Sequence, residues 1–227
     1  MLNPLISQLN GKLTKFKAIG TNTTTNKFCF DRYQIAKEKN IKAGKVVDIC
    51  GVCYSHKSLK GYLKSNQKAL DRNIIFAERL LNPEEIKQFF FLESFFRFSH
   101  HGDLLTELCD SNGQVIQKFD KFNMIENFCR IAEYNPHCNF SIWTKRKDII
   151  SKFFSNREKP KNFIVIYSNL QIDNIVRKIP KHFDKVFNNV SKDFEKENQN
   201  CTGQQCFTCL RCYKHDADTN IIIEAVK

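Results

Sequence analysis

The apolar residues of this chain fall into runs and stripes whose spacing predicts alternating strands and helices. Phe163–Tyr167 (FIVIY) is an unbroken apolar run between polar borders, the pattern of a strand buried on both faces. Ser94–Ser99 (SFFRFS) and Asn139–Trp143 (NFSIW) are rich in aromatic residues and predict two more strands. Lys118–Tyr134 carries Phe122, Ile125, Phe128, Cys129 and Ala132 at the three- and four-residue spacing of an amphipathic helix. Lys147–Asn156 predicts another helix. Upstream, Lys45–Ile49 is short and β-branched and reads as a strand. Leu59, Leu63, Leu70, Ile74, Ala77 and Leu81 predict one long helix over Lys57–Leu81. Asn82-Pro83-Glu84-Glu85 ends that helix and opens another, to about Leu92. Ser111-Asn112-Gly113 is a turn, while 21–26 and 188–200 read as polar loops. Ile175–Ile179 and Asn220–Val226 read as short strands.

Strand, helix, strand, helix, strand is the order that builds a parallel sheet with crossover helices. The chain has 227 residues, short of the roughly 250 typical of a complete eight-fold barrel. The expectation is therefore a single α/β domain over residues 1–227, built as a partial barrel or an open, mostly parallel sheet. Residues 200–215 form a cysteine-rich, metal-binding segment of it.

Composition changes this picture in two places. No segment reaches the roughly 18 apolar residues of a membrane helix, and the start lacks the basic-then-apolar order of a signal peptide. The expected location is the cytoplasm, with no membrane contact. Structural disulfides are rare there, so ten cysteines need another explanation. The net charge of +12 points to a nucleic-acid partner through counterion release, discounted for the Lys, Asn, Phe and Ile surplus that low-GC coding produces.

The cysteines supply the chemistry. Cys201, Cys206, Cys209 and Cys212 fall within twelve residues, in a polar, Gly-containing stretch where inert buried thiols have no reason to crowd. Thiolates suit zinc and iron–sulfur clusters, and two-residue gaps let neighbouring sulfurs converge on one centre. Cys201, Cys206 and Cys209 have the local C-x4-C-x2-C spacing found in iron–sulfur proteins. Cys50-Gly-Val-Cys53-Tyr54 is a second C-x2-C pair, readable as two metal ligands or a redox pair; Cys29 precedes it. The two groups could share one centre or hold two. His215 is a spare ligand candidate, Cys129 belongs to the core, and Cys109 and Cys138 have no partner at ligand spacing.

A third feature is positional. His100, His101 and Asp103, then Thr144 and Lys145, then Ser168 and Asn169 all follow predicted strands, as Cys50 and Cys53 follow Lys45–Ile49. In a parallel sheet these side chains gather at the carboxyl edge, where α/β folds take ligands. His101 and Asp103 are the catalytic candidates, and Gly102 between them permits close backbone approach.

Cys29, the Cys50–Tyr54 pair, Arg72-Asn73, Phe96-Arg97-Phe98-Ser99-His100-His101-Gly102-Asp103, Phe140-Ser-Ile-Trp143-Thr144-Lys145 and the cysteine tail occur in an order that resembles the bacteriophage "gene product 88" family. The resemblance runs over roughly residues 28–213. It implies a reduced, radical-SAM-like α/β barrel. Such enzymes hold a four-iron cluster through C-x3-C-x2-C, leaving one iron for S-adenosylmethionine; Cys29, Cys50 and Cys53 would be the corresponding trio. The gap from Cys29 to Cys50 is twenty residues where that motif has three. The combined expectation is an iron–sulfur protein, with a 4Fe–4S cluster on that trio and an auxiliary one on the tail quartet, acting on a nucleic acid or nucleotide. The alternative is a zinc-stabilised nucleic-acid-binding module without catalysis, and a third reading is a thiol redox protein using Cys50 and Cys53.

Overall fold

The computed structural model describes every residue except 1, 10, 62, 63, 193, 195–197, 217 and 227. Two short strands open it, β1 (Ile6–Gln8) and β2 (Lys17–Ile19), followed by a 17-residue helix, α1 (Lys27–Ala43). The Asn26 side chain caps α1 by accepting from the Cys29 amide, and Gly44, in the left-handed region at φ 64°, ends it. A 3-10 turn at Ile49–Val52 leads into α2 (Tyr54–Lys60), α3 (Lys64–Asp71), α4 (Ile75–Glu78) and α5 (Pro83–Lys87). Then come β3 (Phe95–Phe98), a hairpin of β4 (Glu107–Cys109) and β5 (Val115–Lys118), α6 (Asn123–Tyr134), β6 (Asn139–Thr144) and α7 (Lys147–Phe153). The chain continues through β7 (Phe163–Ile172), β8 (Lys185–Val190), α8 (Cys206–Cys209) and β9 (Ile221–Ala225).

Seven strands form one sheet in the order β1-β2-β3-β6-β7-β8-β9, and only the β1–β2 pair is antiparallel. The six parallel strands advance one place at each crossover, always in the same direction. With right-handed crossovers, that winding stacks the connecting helices on one face. Phe96, Phe98, Phe140, Ile142, Phe163, Val165 and Val186 point into this face and pack against Phe76, Ile125, Phe128, Ile149 and Ile150 from α4, α6 and α7. Phe98 and Phe128 stack with ring centroids 4.1 Å apart.

The other face turns inward. The sheet curls until its two edges are joined by an ion pair, Lys12 Nζ to Glu224 Oε1 at 2.5 Å, although β1 and β9 do not pair and no closed barrel results. The architecture is thus α/β with a largely parallel, open sheet. No helix among the described residues is long and apolar enough to cross a membrane.

Several expectations are corrected. Lys45–Ile49 is not a strand: Lys45 and Val46 are exposed, and Val47 and Asp48 are tied to the Asn40 side chain, leaving one isolated bridge from Asp48 to Gln171. The long helix over 57–81 breaks into α2, α3, a 3-10 turn at Arg72–Ile74 and α4; Leu63 lies outside the described residues. Asn73 explains one break, since its buried side chain bonds the backbone of Leu5 and Gly20 instead of facing water. Ile175–Ile179 is irregular, and the neighbouring strand is β8, whose last residues fall inside the expected 188–200 loop. The turn at 111–113 and the closing strand are found where expected.

Candidate metal centres

The first group gathers around the start of α1. Cys29 sits in its first turn. The helix then runs away from the sheet edge, and Gly44 reverses the chain to bring Cys50 and Cys53 back beside it. The returning segment is pinned: Arg32 Nη2 donates to Asp48 Oδ2 at 2.6 Å, and Asp48 Oδ1 accepts from the Cys50 amide at 3.0 Å. The Ile172 amide donates to the Val47 carbonyl at 3.0 Å, joining the segment to the carboxyl end of β7. Cys50 and Cys53 therefore reach the carboxyl edge as expected, by way of a helix and a 3-10 turn rather than a strand. The twenty-residue gap is the out-and-back path of α1.

Gly51 makes that close return possible. A Cβ there would lie 2.9 Å from the Ala36 carbonyl carbon and oxygen and would collide with the Asn40 amide. Gly51→Ala should cost about 2 kcal/mol through overpacking and move Cys50 and Cys53 away from Cys29. Urea unfolding checks the first effect. Retained metal per chain checks the second, and unchanged values for both would show that the segment has room.

Asp103 organises the same edge. Its buried carboxylate accepts from Thr144 Oγ1 at 2.5 Å, from the Leu104 amide at 2.7 Å and from the Lys145 amide at 2.9 Å. Lys145 Nζ donates to Ser168 Oγ at 3.1 Å. Burial works against the Lys145 ammonium, but Cys50, Asp103, Cys53 and Cys29 outweigh it and raise its pKa. Burial, then Asp103, Cys53 and Cys50, push the Cys29 thiol well up, while Lys145 pulls it down. Of the residues expected at the strand ends, Asp103 and Lys145 thus meet the cysteine trio, with Thr144 and Ser168 bonded to them, whereas Asn169 bonds instead to the Asn174 carbonyl and Asn188. Gly102, at φ +87°, permits a close approach, but to the protein itself: a Cβ would meet Thr21 Oγ1 and the Thr21 and Asn22 carbonyls within 2.8 Å.

His100 and His101 flank this edge. Burial and nearby Arg97 lower His101 to about 4; burial, His101 and Arg97 lower His100 to about 3. Both rings are neutral at pH 7, with buried Nδ1 atoms that have no partner among the described residues. Thr23, Ser99 and Asn22 add further buried oxygens in the same condition. The exposed Tyr54 ring lies 5.8 Å from His101, and its hydroxyl donates to the His100 carbonyl at 2.7 Å.

The tail quartet lies elsewhere, inside the curl of the sheet. Asn200 and Cys201 run beside β9, with the Cys201 amide donating to the Ile223 carbonyl at 3.0 Å. α8 presents Cys206 and Cys209, and Leu210, left-handed at φ 52°, turns the chain back towards Cys212. All four cysteines line one cavity of about 20 Å³, together with Leu210, Tyr213 and Ile222. Burial pushes the Cys201 thiol up to about 11 and raises Cys206 and Cys212, with the neighbouring cysteines adding to each. Lys12 opposes this at Cys201 and Cys206. Tyr213, fully enclosed, plugs the interior with its ring 4.1 Å from Phe16 and 5.4 Å from Trp143, on which Arg97 stacks at 4.2 Å.

Among the described residues, no three His, Cys, Asp or Glu side chains already meet as a metal-ligand set. The donor chemistry nevertheless fits at both places: soft thiols grouped around one cavity in the tail, and three thiols beside a cationic lysine at the edge. The groups that act on the trio include Asp48, Asp103, Arg32 and Lys145; those acting on the quartet include Lys12, Glu224, Arg97, Lys185 and Arg211. His215 does not line the cavity of the quartet; its Nδ1 lies 3.8 Å from Asp184 Oδ1. Cys109, Cys129 and Cys138 are buried, Cys129 and Cys138 in the main core. Sequence reasoning overlooked Lys12, whose only signal was its positive charge, and had Arg97 only as part of the Phe96–Asp103 stretch, with no role beside the quartet. Comparison with protein-family models, curated proteins and solved structures gives no significant match.

Proposed function

We propose that this chain is a metal protein with two separate thiolate centres and a reduced, radical-SAM-like enzyme of the kind its resemblance to the gene product 88 family implies. Cys29, Cys50 and Cys53 would hold an iron–sulfur cluster, and Cys201, Cys206, Cys209 and Cys212 a second metal. The observation that carries this reading is the separation of the cysteines into two groups with different charged surroundings, one of them at the carboxyl edge of a sequentially wound parallel sheet.

Three thiolates leave one iron of a four-iron cluster open, and such a cluster, when bound, supplies one-electron reduction of S-adenosylmethionine. The chain's own residues prepare the edge for it. Lys145 offsets the negative charge of three thiolates. Asp103, whose carboxylate accepts from Thr144, Leu104 and Lys145, acts by positioning them. His100 and His101, neutral and with Nδ1 atoms unpartnered among the described residues, are suited to a polar cosubstrate, and the His101 ring lies 5.8 Å from the ring of exposed Tyr54.

The quartet favours a different metal. Four thiols around one cavity are the closed donor set that suits a single tetrahedral zinc ion. Anaerobic purification followed by iron, sulfide and zinc analysis tests both assignments. The expected content is about four irons with matching sulfide and about one zinc per chain. Cys50→Ala should remove iron and leave zinc, and Cys209→Ala the reverse. A colourless protein with zinc and no sulfide would overturn the iron–sulfur assignment.

A further inference from the structure

α1 is unusual for a helix of its length: it buries one residue, Ala36. Its outer half exposes Lys37, Lys39 and Lys42 around one acidic residue, Glu38, and Lys45 follows just beyond; none of the four lysines makes an ion pair with the described residues. Ile35 and Ile41 are exposed among them, Ile41 at 70 %. Between this half-helix and the end of β7 lies a groove of about 240 Å³, lined by Lys39, Val47, Asp48, Gln171, Ile172 and Asn174. The groove opens next to the segment that carries Cys50, and the Tyr54 ring stands 61 % exposed just past Cys53.

We infer that this strip binds a single-stranded nucleic acid. Four lysines outside any ion pair among the described residues, against a single Glu38, suit a phosphodiester backbone, and interleaved apolar and aromatic side chains suit unstacked bases rather than a closed duplex. The groove has room for one base, and its amides offer both donors and acceptors to a base edge. Charge complementarity selects a polyanion, and exposed Ile35, Ile41 and Tyr54 select one with free aromatic faces. The inference holds whichever metals the cysteines take.

The test is fluorescence anisotropy of the full chain, as purified with its metals, against a labelled single-stranded 20-mer of RNA or DNA and the matching duplex. Wild type should prefer the single strands, and its affinity should fall steeply with salt. Reversing Lys37, Lys42 and Lys45 to Glu should weaken single-strand binding at least tenfold and flatten the logarithmic salt slope by about 2, near 0.7 for each phosphate no longer neutralised. Reversing Lys152, Lys161 and Lys181, exposed on α7 and before β7 and β8, makes the same change in net charge and should weaken binding less than threefold. Equal losses from both triple variants would reduce the effect to overall charge and overturn the inference, as would duplex binding as tight as single-strand binding. Metal content measured on the same samples keeps this result distinct from the cofactor assignment, because strip variants should retain their metals.

Discussion

Cys212→Ser should lower the midpoint of thermal unfolding by roughly 6–12 °C, the equivalent of about 3 kcal/mol in a chain of this size. Cys212 is the most enclosed of the tail cysteines, and it follows the left-handed Leu210 that turns α8 back on itself. The proposed four-thiolate site would contribute folding free energy directly, because the unfolded chain does not hold its ligands in binding geometry. Losing one ligand also frees Tyr213, the next residue, which fills the space between Phe16 and Trp143. Treating wild type with a strong chelator should lower its midpoint by a similar amount, whereas Cys212→Ser should no longer respond. A wild type that keeps its midpoint while releasing no zinc would mean that the quartet is a set of buried thiols with no metal to lose; iron measured on the same samples separates any response of the trio.

Asp103→Ala should cost about 3–5 kcal/mol, because it strands three buried donors and removes the carboxylate facing a buried ammonium. The donors are Thr144 Oγ1 and the amides of Leu104 and Lys145. Asp103→Asn should cost less, about 2 kcal/mol, since its oxygen can still accept while its amide group meets another donor. Urea titrations with unchanged slopes would report these as stability losses rather than changes in the unfolded chain. A loss below about 1 kcal/mol for Asp103→Ala would show that the edge does not depend on this carboxylate.

The strands that were legible in the sequence are those whose environment is uniform. Phe163–Tyr167 is apolar on both sides because helices cover one face and the interior of the curl covers the other, so a continuous run was enough. β1 and β2 are three residues long, too short for any periodicity. α1 left no stripe because it has almost no buried face, and its Phe28, Phe30 and Tyr33 are only half covered. That omission also hid how Cys29 meets Cys50 and Cys53, since the missing helix is the path between them. The quartet was legible because its ligand candidates lie within twelve residues. Lys145 and Asp103 were visible as strand-end polar residues, but their meeting depends on the parallel order of β3, β6 and β7.

The ion pair between Lys12 and Glu224 joins residues 212 positions apart. Closing so long a loop offers no local reward until both flanking edges exist, and the entropic cost falls on the last step of assembly. The helix-covered core of β3, β6 and β7 with α6 can form first, from neighbouring segments. The seam is then a late event in folding and the earliest to open, and the cysteine segment spanning it works as a clasp. With the metal proposed for the quartet, its availability would set how long newly made chains spend as open, curled sheets with their inner surface exposed to other chains.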